Sequence, residues 1–135
     1  MTLPDVCTLL TDAEVSTLTG RKILTETPAH GADALTSKSC EWIKANGGPV
    51  LLVTVETVTK DDFDSRAPSY EKVDGIGERA YLNNWILTVL HGRVEIVVSL
   101  VDNGTGEDSP APQKRIASKV IERFDGVSAS PSPTA

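Results

Sequence analysis

The sequence has little that would hold it to a membrane, to nucleic acid or to a metal ion. It contains no apolar run of the roughly 18 residues that a spanning helix needs. No basic segment followed by an apolar one opens it, as a signal peptide would. Met1 runs straight into Thr2-Leu3-Pro4-Asp5, so the protein is either cytosolic or has lost a signal segment ahead of Thr2. Basic residues are scarce: 13 Lys and Arg stand against 19 Asp and Glu, a net charge of −6. Phosphate binding needs a basic stripe, and none is visible, which argues against nucleic acid and against anionic lipid surfaces. The G-x-S-x-G turn that presents a serine nucleophile is absent.

Cysteine is nearly absent. Cys7 and Cys40 are the whole inventory. Their spacing is not that of a metal knuckle, and only His30 and His91 could assist them. They are either two separate buried thiols or one disulfide. A bond closing a loop of that length would contribute about 3–4 kcal/mol and would persist in an oxidising compartment. Aromatics are also few. Trp42 and Trp85 are the only tryptophans, and they read either as core packing or as the walls of a small ligand pocket.

What is present is β-rich. Trp85 to Val101 forms two apolar runs around His91-Gly92, the pattern of a hairpin with a two-residue turn. With His91 and Gly92 as the turn, Leu87 opposes Ile96 and Trp85 opposes Val98. One face then carries Trp85, Leu87, Val89, Val94, Ile96, Val98 and Leu100, and the other is mixed. Residues 40–58 repeat this design around Asn46-Gly47-Gly48-Pro49, with Leu51, Val53 and Val55 on one face. Residues 21–27 suit an exposed strand, and Glu78 to Leu82 a short one before a turn at Asn83-Asn84. Residues 59–72 form a polar connection with a helical turn near Phe63.

Two helices are legible. Thr11-Asp12-Ala13-Glu14 is a capping box with Leu10 and Val15 at the staple positions, and Gly20 is a left-handed stop. That predicts a helix over 12–19. Ser109-Pro110 opens a second helix, in which Ile116, Val120, Ile121 and Phe124 recur at helical spacing and which Gly126 ends. The order predicts an α+β fold: an antiparallel sheet of about five to six strands, one face covered by an N-terminal and a C-terminal helix. Residues 1–126 read as one domain, and the Ser/Pro-rich residues 127–135 as a disordered tail.

Several stretches imitate active sites. Gly75-Ile76-Gly77-Glu78-Arg79-Ala80 matches a dinucleotide fingerprint, with Glu95 as its acid. The chemistry needs a helix opening at the glycines, and here a strand follows. Asp102 to Asp108 is acidic but lacks the spacing of a calcium loop. Asp61, Asp62 and Asp64 read as solvated carboxylates. His91 reads as a turn residue rather than a base. Glu56 and Glu95 could line up on the mixed face, but nothing in the sequence places them at a working separation. No catalytic, cofactor-binding or metal-binding residue is therefore expected.

One ordered set of motifs resembles a known family. Asp5-x-Cys7-x-Leu9-Leu10-Thr11-x-x-Glu14-Val15 runs to Gly20, then come Cys40-x-Trp42, Val73-x-Gly75-Ile76-Gly77-Glu78-x-Ala80 and Ile116-Ala117. This resembles the actinobacterial lipoprotein family described as domain of unknown function 3558, over residues 4–125. Val6 stands where that family usually has Pro, and there is no lipobox cysteine. The resemblance implies a Cys7–Cys40 disulfide, export through a lipidated signal segment and display outside the membrane. It brings no catalytic residues. The expectation is an extracytoplasmic, non-catalytic binding domain, lipid-anchored or secreted, for an unknown protein or a small apolar ligand. The rivals are an extracytoplasmic hydrolase with an unrecognised site and a cytosolic partner protein with reduced thiols.

Overall fold

The computed structural model describes residues 3–28, 36–66 and 70–129. A 3₁₀ turn at Val6–Thr8 leads into α1 (Asp12–Thr19), β1 (Ile23–Pro28), β2 (Ser37–Lys44) and β3 (Pro49–Thr57). Then come α2 (Lys60–Arg66), β4 (Glu71–Lys72), β5 (Arg79–Asn83), β6 (Ile86–His91), β7 (Val94–Leu100) and α3 (Ala111–Ala129). The strands form one antiparallel sheet in the order β1-β2-β3-β7-β6-β5-β4. The fold is α+β, as the order of motifs predicts, with seven strands rather than five or six. The additional strand, β4, is two residues long and sits in a polar stretch with no periodicity to betray it.

Alternation decides the faces. Cys40 and Trp42, Leu51, Val53 and Val55, Ala80 and Leu82, Leu87 and Val89, and Val94, Ile96, Val98 and Leu100 are buried together. The same core takes Val15 of α1 and Ile116, Ala117, Val120 and Phe124 of α3, so both terminal helices cover this near face. α1 begins with the capping box: the Thr11 hydroxyl accepts from Glu14 N, and the Glu14 carboxylate accepts from Thr11 N. Gly20 ends it at φ 71°. α3 runs on to Ala129, past the expected stop at Gly126, which takes no left-handed φ. A glycine in a helix costs about 1 kcal/mol but does not by itself end it. Residues 130–135 of the expected tail lie outside the described residues.

The lead-in is part of the core. Leu3, Val6, Leu9 and Leu10 are all buried. Cys7 and Cys40 are joined in a disulfide (Cα–Cα 5.1 Å), which fastens this segment to the middle of β2. Among the described residues, no helix is long and apolar enough to cross a membrane.

The central hairpin turns at Gly92-Arg93, since His91 pairs with Val94 and Leu87 with Val98. The expected turn at His91-Gly92 would have put a positive φ on histidine. The two-residue turns that suit a hairpin need that conformation first, and Gly92 supplies it at φ 64°. Moving the turn by one residue moves each partner by two, so the apolar face is unchanged. The preceding turn is likewise Asn84-Trp85, with Asn84 at φ 57°, not Asn83-Asn84. Trp85 therefore leaves the core face for a turn and is 44% exposed.

The near face is covered by the N-terminal and C-terminal helices as expected. α2 lies on the other, far face, where Phe63, Tyr81 and Leu90 form a second small apolar cluster. Gly77 sits at φ 61° beneath β6, and a Cβ there would run into the Val89 side chain and lie 2.7 Å from Leu90 O. Gly77→Ala should cost about 2–5 kcal/mol, the left-handed penalty plus overpacking. Gly92→Ala meets open space and should cost only about 1–2 kcal/mol. Urea midpoints of the two variants check the difference.

Candidate functional site

The far face holds the most developed recess. Phe63 of α2 packs against Tyr81 of β5 at 5.2 Å between ring centroids, tilted by 49°. Tyr70, just before β4, stacks on Tyr81 at 5.1 Å and 14°. Tyr81 is buried while Tyr70 is 39% exposed. The Tyr70 and Tyr81 rings stand between two clefts and line both. The larger, about 680 Å³, is walled by Phe63, Asp64, Lys72, Asp74, Glu78 and Arg79 besides the tyrosines. The smaller, about 360 Å³, is walled by Ser65, Arg66, Asn83, Ile86 and Thr88 with the same two rings.

The position of these residues follows from the alternation of β5. Ala80 and Leu82 point into the near-face core, so Arg79, Tyr81 and Asn83 point to the far face. Tyr81 lies opposite both Lys72 and Thr88. α2 crosses above, and its Arg66 reaches Glu95 on β7 with both terminal nitrogens. Asp64 takes Arg79 at 2.5 Å. Glu78 accepts from Gly92 N at 2.5 Å and lies 3.5 Å from Lys60. The Gly92 amide, and then Lys60, hold the Glu78 carboxyl below the usual carboxylate range.

Glu56 and Glu95 do line up, directly opposite one another across β3 and β7. They are not equivalent: Glu56 is exposed, whereas Glu95 is buried and clamped by Arg66. That pair is a structural bond between α2 and the sheet rather than a working pair of carboxylates.

Trp42 and Trp85 do not wall a common pocket. Trp42 is wholly buried in the near-face core, and its indole N–H finds no acceptor among the described residues. Trp42 pairs with Leu51, Leu51 with Leu100, and Leu100 N donates to Trp85 O. The two residues thus sit at opposite ends of a four-residue row, their backbones about 14 Å apart at the strand spacing.

The glycine link leads into β5, a strand, so no helix N-terminus is offered to a pyrophosphate. The acidic loop after β7 is tied to cations. Asp102 pairs with Arg21 and Lys44, and Glu107 with Arg115. Among the described residues no three His, Cys, Asp or Glu converge as metal ligands would. His91 is not a bare turn residue. Its Nε2 lies 2.6 Å from Asp125 of α3, and its ring meets Phe124 edge-on.

Comparison of the chain with protein-family models, with curated proteins and with solved structures gave no match.

Two predictions follow from these ion pairs. The Asp102 carboxyl is held below its usual range, first by Lys44 and then by Arg21. A depressed carboxyl stabilises the fold above its unfolded pKa and loses that effect as pH falls through the folded value. The stability gap between the wild type and Asp102→Asn should therefore be full above about pH 5 and close on further acidification. Melting temperatures across that range measure it. Arg66→Ala leaves Glu95 buried without its cation. Because Arg66 is itself half-exposed, the loss should be about 1–3 kcal/mol, below that of a fully buried pair. Adding Glu95→Gln should restore part of it, as a double-mutant cycle in urea would show.

Proposed function

We propose that this chain is an extracytoplasmic, non-catalytic binding domain, lipid-anchored or secreted, whose binding surface is the far face around Tyr70 and Tyr81. The observation that carries the reading is that stack. It is an accessible aromatic surface between two clefts, while several of the charged side chains beside it are engaged with one another. Asp64 with Arg79, Glu95 with Arg66, and Glu78 with Gly92 N and Lys60 hold the recess in shape. Charges so engaged orient a bound molecule more readily than they exchange protons with it.

The exported location rests on Cys7–Cys40, since such a bond persists outside the reducing cytosol. The motif resemblance to the actinobacterial lipoproteins of domain of unknown function 3558 supports the same location. The residues that carry it hold defined places: Cys7 and Cys40 in the disulfide, Trp42 in the core, Gly77 under β6. The protein isolated from its own host without reductant should have the mass of the oxidised chain and should fractionate with the envelope or the medium. Free thiols in a cytosolic fraction would overturn the reading. Replacing both cysteines by serine should lower stability by about 3–4 kcal/mol.

The His91–Asp125 pair favours a second reading, a hydrolase using His91 as base, because an imidazole oriented by a carboxylate is half of a nucleophile-activating set. Among the described residues, no Ser, Thr or Cys side chain hydrogen-bonds His91. Turnover of a chromogenic ester by the wild type but not by His91→Ala would favour that reading.

A further inference from the structure

We infer that the far-face groove takes a neutral, hydroxyl-rich chain, an oligosaccharide, laid across Tyr70 with sugar rings in the clefts on either side. The inference rests on the reading of this face as the binding surface and adds the class of ligand.

The shape of the aromatic surface comes first. Tyr70 and Tyr81 are nearly parallel and 5.1 Å apart, so no ligand fits between them. Tyr70 presents a plate, not a cage. A quaternary ammonium ion is recognised by several rings arranged around it. A pyranose ring offers one flat C–H face, which a single plate can cover while the hydroxyl groups point outward to polar partners.

Charge then separates the candidates. The larger cleft is lined by the acids Asp64, Asp74 and Glu78 and the bases Lys72 and Arg79, and Lys60 lies beside Glu78. The lining carries three acids against two bases, and the signs balance only when Lys60 beside Glu78 is counted with them. A balanced field favours neither a cationic nor an anionic ligand. It is nonetheless rich in hydrogen-bonding groups. An arginine engaged through one nitrogen, as Arg79 is with Asp64, keeps further N–H donors, and a carboxylate keeps further lone pairs. Sugar hydroxyls both donate and accept, so adjacent donors and acceptors suit them. A small apolar ligand would instead strip water from these charges without replacing its hydrogen bonds.

The second cleft fixes the length of the ligand. Ser65, Asn83 and Thr88 supply hydroxyl and amide groups on the other side of the same tyrosines. Tyr70 therefore stands between two clefts rather than at the end of one. A chain of several rings would use both sides, whereas a monosaccharide would use one.

The test uses the whole chain, amide NMR and titration calorimetry. The probes are cellotetraose, maltotetraose and tetra-N-acetylchitotetraose. Tetramethylammonium and inorganic phosphate are the charged controls, and N-phenyl-1-naphthylamine is the uncharged apolar one. At least one tetrasaccharide should bind with Kd of about 0.1–1 mM and shift the amides of Tyr70 and Tyr81. Tyr70→Ala should weaken it by about tenfold or more, and Tyr70→Phe should keep most of the affinity. Tyr70 is half-exposed, so an unchanged melting temperature separates lost binding from lost folding. No tetrasaccharide binding up to about 10 mM, or binding indifferent to Tyr70→Ala, would overturn the inference. If only a charged or apolar control shifts the Tyr70 amide, the oligosaccharide class falls and the binding face stands. If no probe shifts it, both fall.

Discussion

The pairing of β3 with β7 is the constraint on which the rest of the molecule depends. β1-β2-β3 and β4-β5-β6-β7 are each built from neighbours in sequence, and only the β3–β7 seam joins them. Along it Leu51 meets Leu100, Val53 meets Val98 and Val55 meets Ile96, all buried. Neither half could bury its apolar face alone. Joined, they make a surface wide enough for α3 to lie on β6 and β7 and for α1 to pack against β1 and α3. The disulfide acts on one half of this arrangement, tying the 3₁₀ turn to β2. The ion pair of Glu14 with Arg123 fastens α1 to α3 across the top.

The same seam creates the candidate site. β3 lies in the middle of the sheet and β4 at its edge, four places away. The chain must travel about 19 Å at the strand spacing to get from one to the other. The near face is occupied by the terminal helices, and α2, which belongs to this connection, lies over the far face. Phe63 buries itself against Tyr81 and Leu90, while Arg66 pairs with Glu95. A helix of seven residues has little stability of its own. It is held by one aromatic anchor and one ion pair, and the recess beside it is what a short helix leaves uncovered.

Local signals were legible in the sequence, and long-range ones were not. The capping box, Gly20 and the staple all concern residues within one turn of each other, and α1 occupies 12–19 as they require. The two hairpins and their apolar faces were legible because alternation is a property of a single strand. The hairpin turn lies one residue beyond His91-Gly92, because the positive φ has to fall on glycine. The burial of Leu3, Val6 and Leu9 is hidden because three apolar residues without a period reveal nothing until Cys40 draws them in. The tyrosine stack was hidden for a stronger reason. Tyr70 lies in a polar connection and Tyr81 in a short strand, and only the crossing of the far face brings them together. The far-face direction of Tyr81 was still within reach, since Ala80 and Leu82 alternate with it.

The edges of the sheet narrow where a partner could bind. An exposed strand edge invites pairing with another chain, and natural sheets blunt their edges with short, charged or irregular strands. β4 is two residues long, Glu71 and Lys72, both exposed. β1, at the other edge, carries a bulge between Ile23 and Thr25 and ends at Pro28, which has no N–H to offer a neighbour. Strand addition is therefore disfavoured at both ends. The near face is filled by helices, and the loop after β7 is tied down by Asp102 with Arg21 and Lys44 and by Glu107 with Arg115. Among the described residues, what remains open is the far face. There a row of polar and small apolar side chains, such as Ser39 hydrogen-bonded to Thr54, continues from the tyrosine recess across β7, β3 and β2. A ligand longer than the recess would extend along that surface, past Glu95 and Glu56, and not onto a sheet edge.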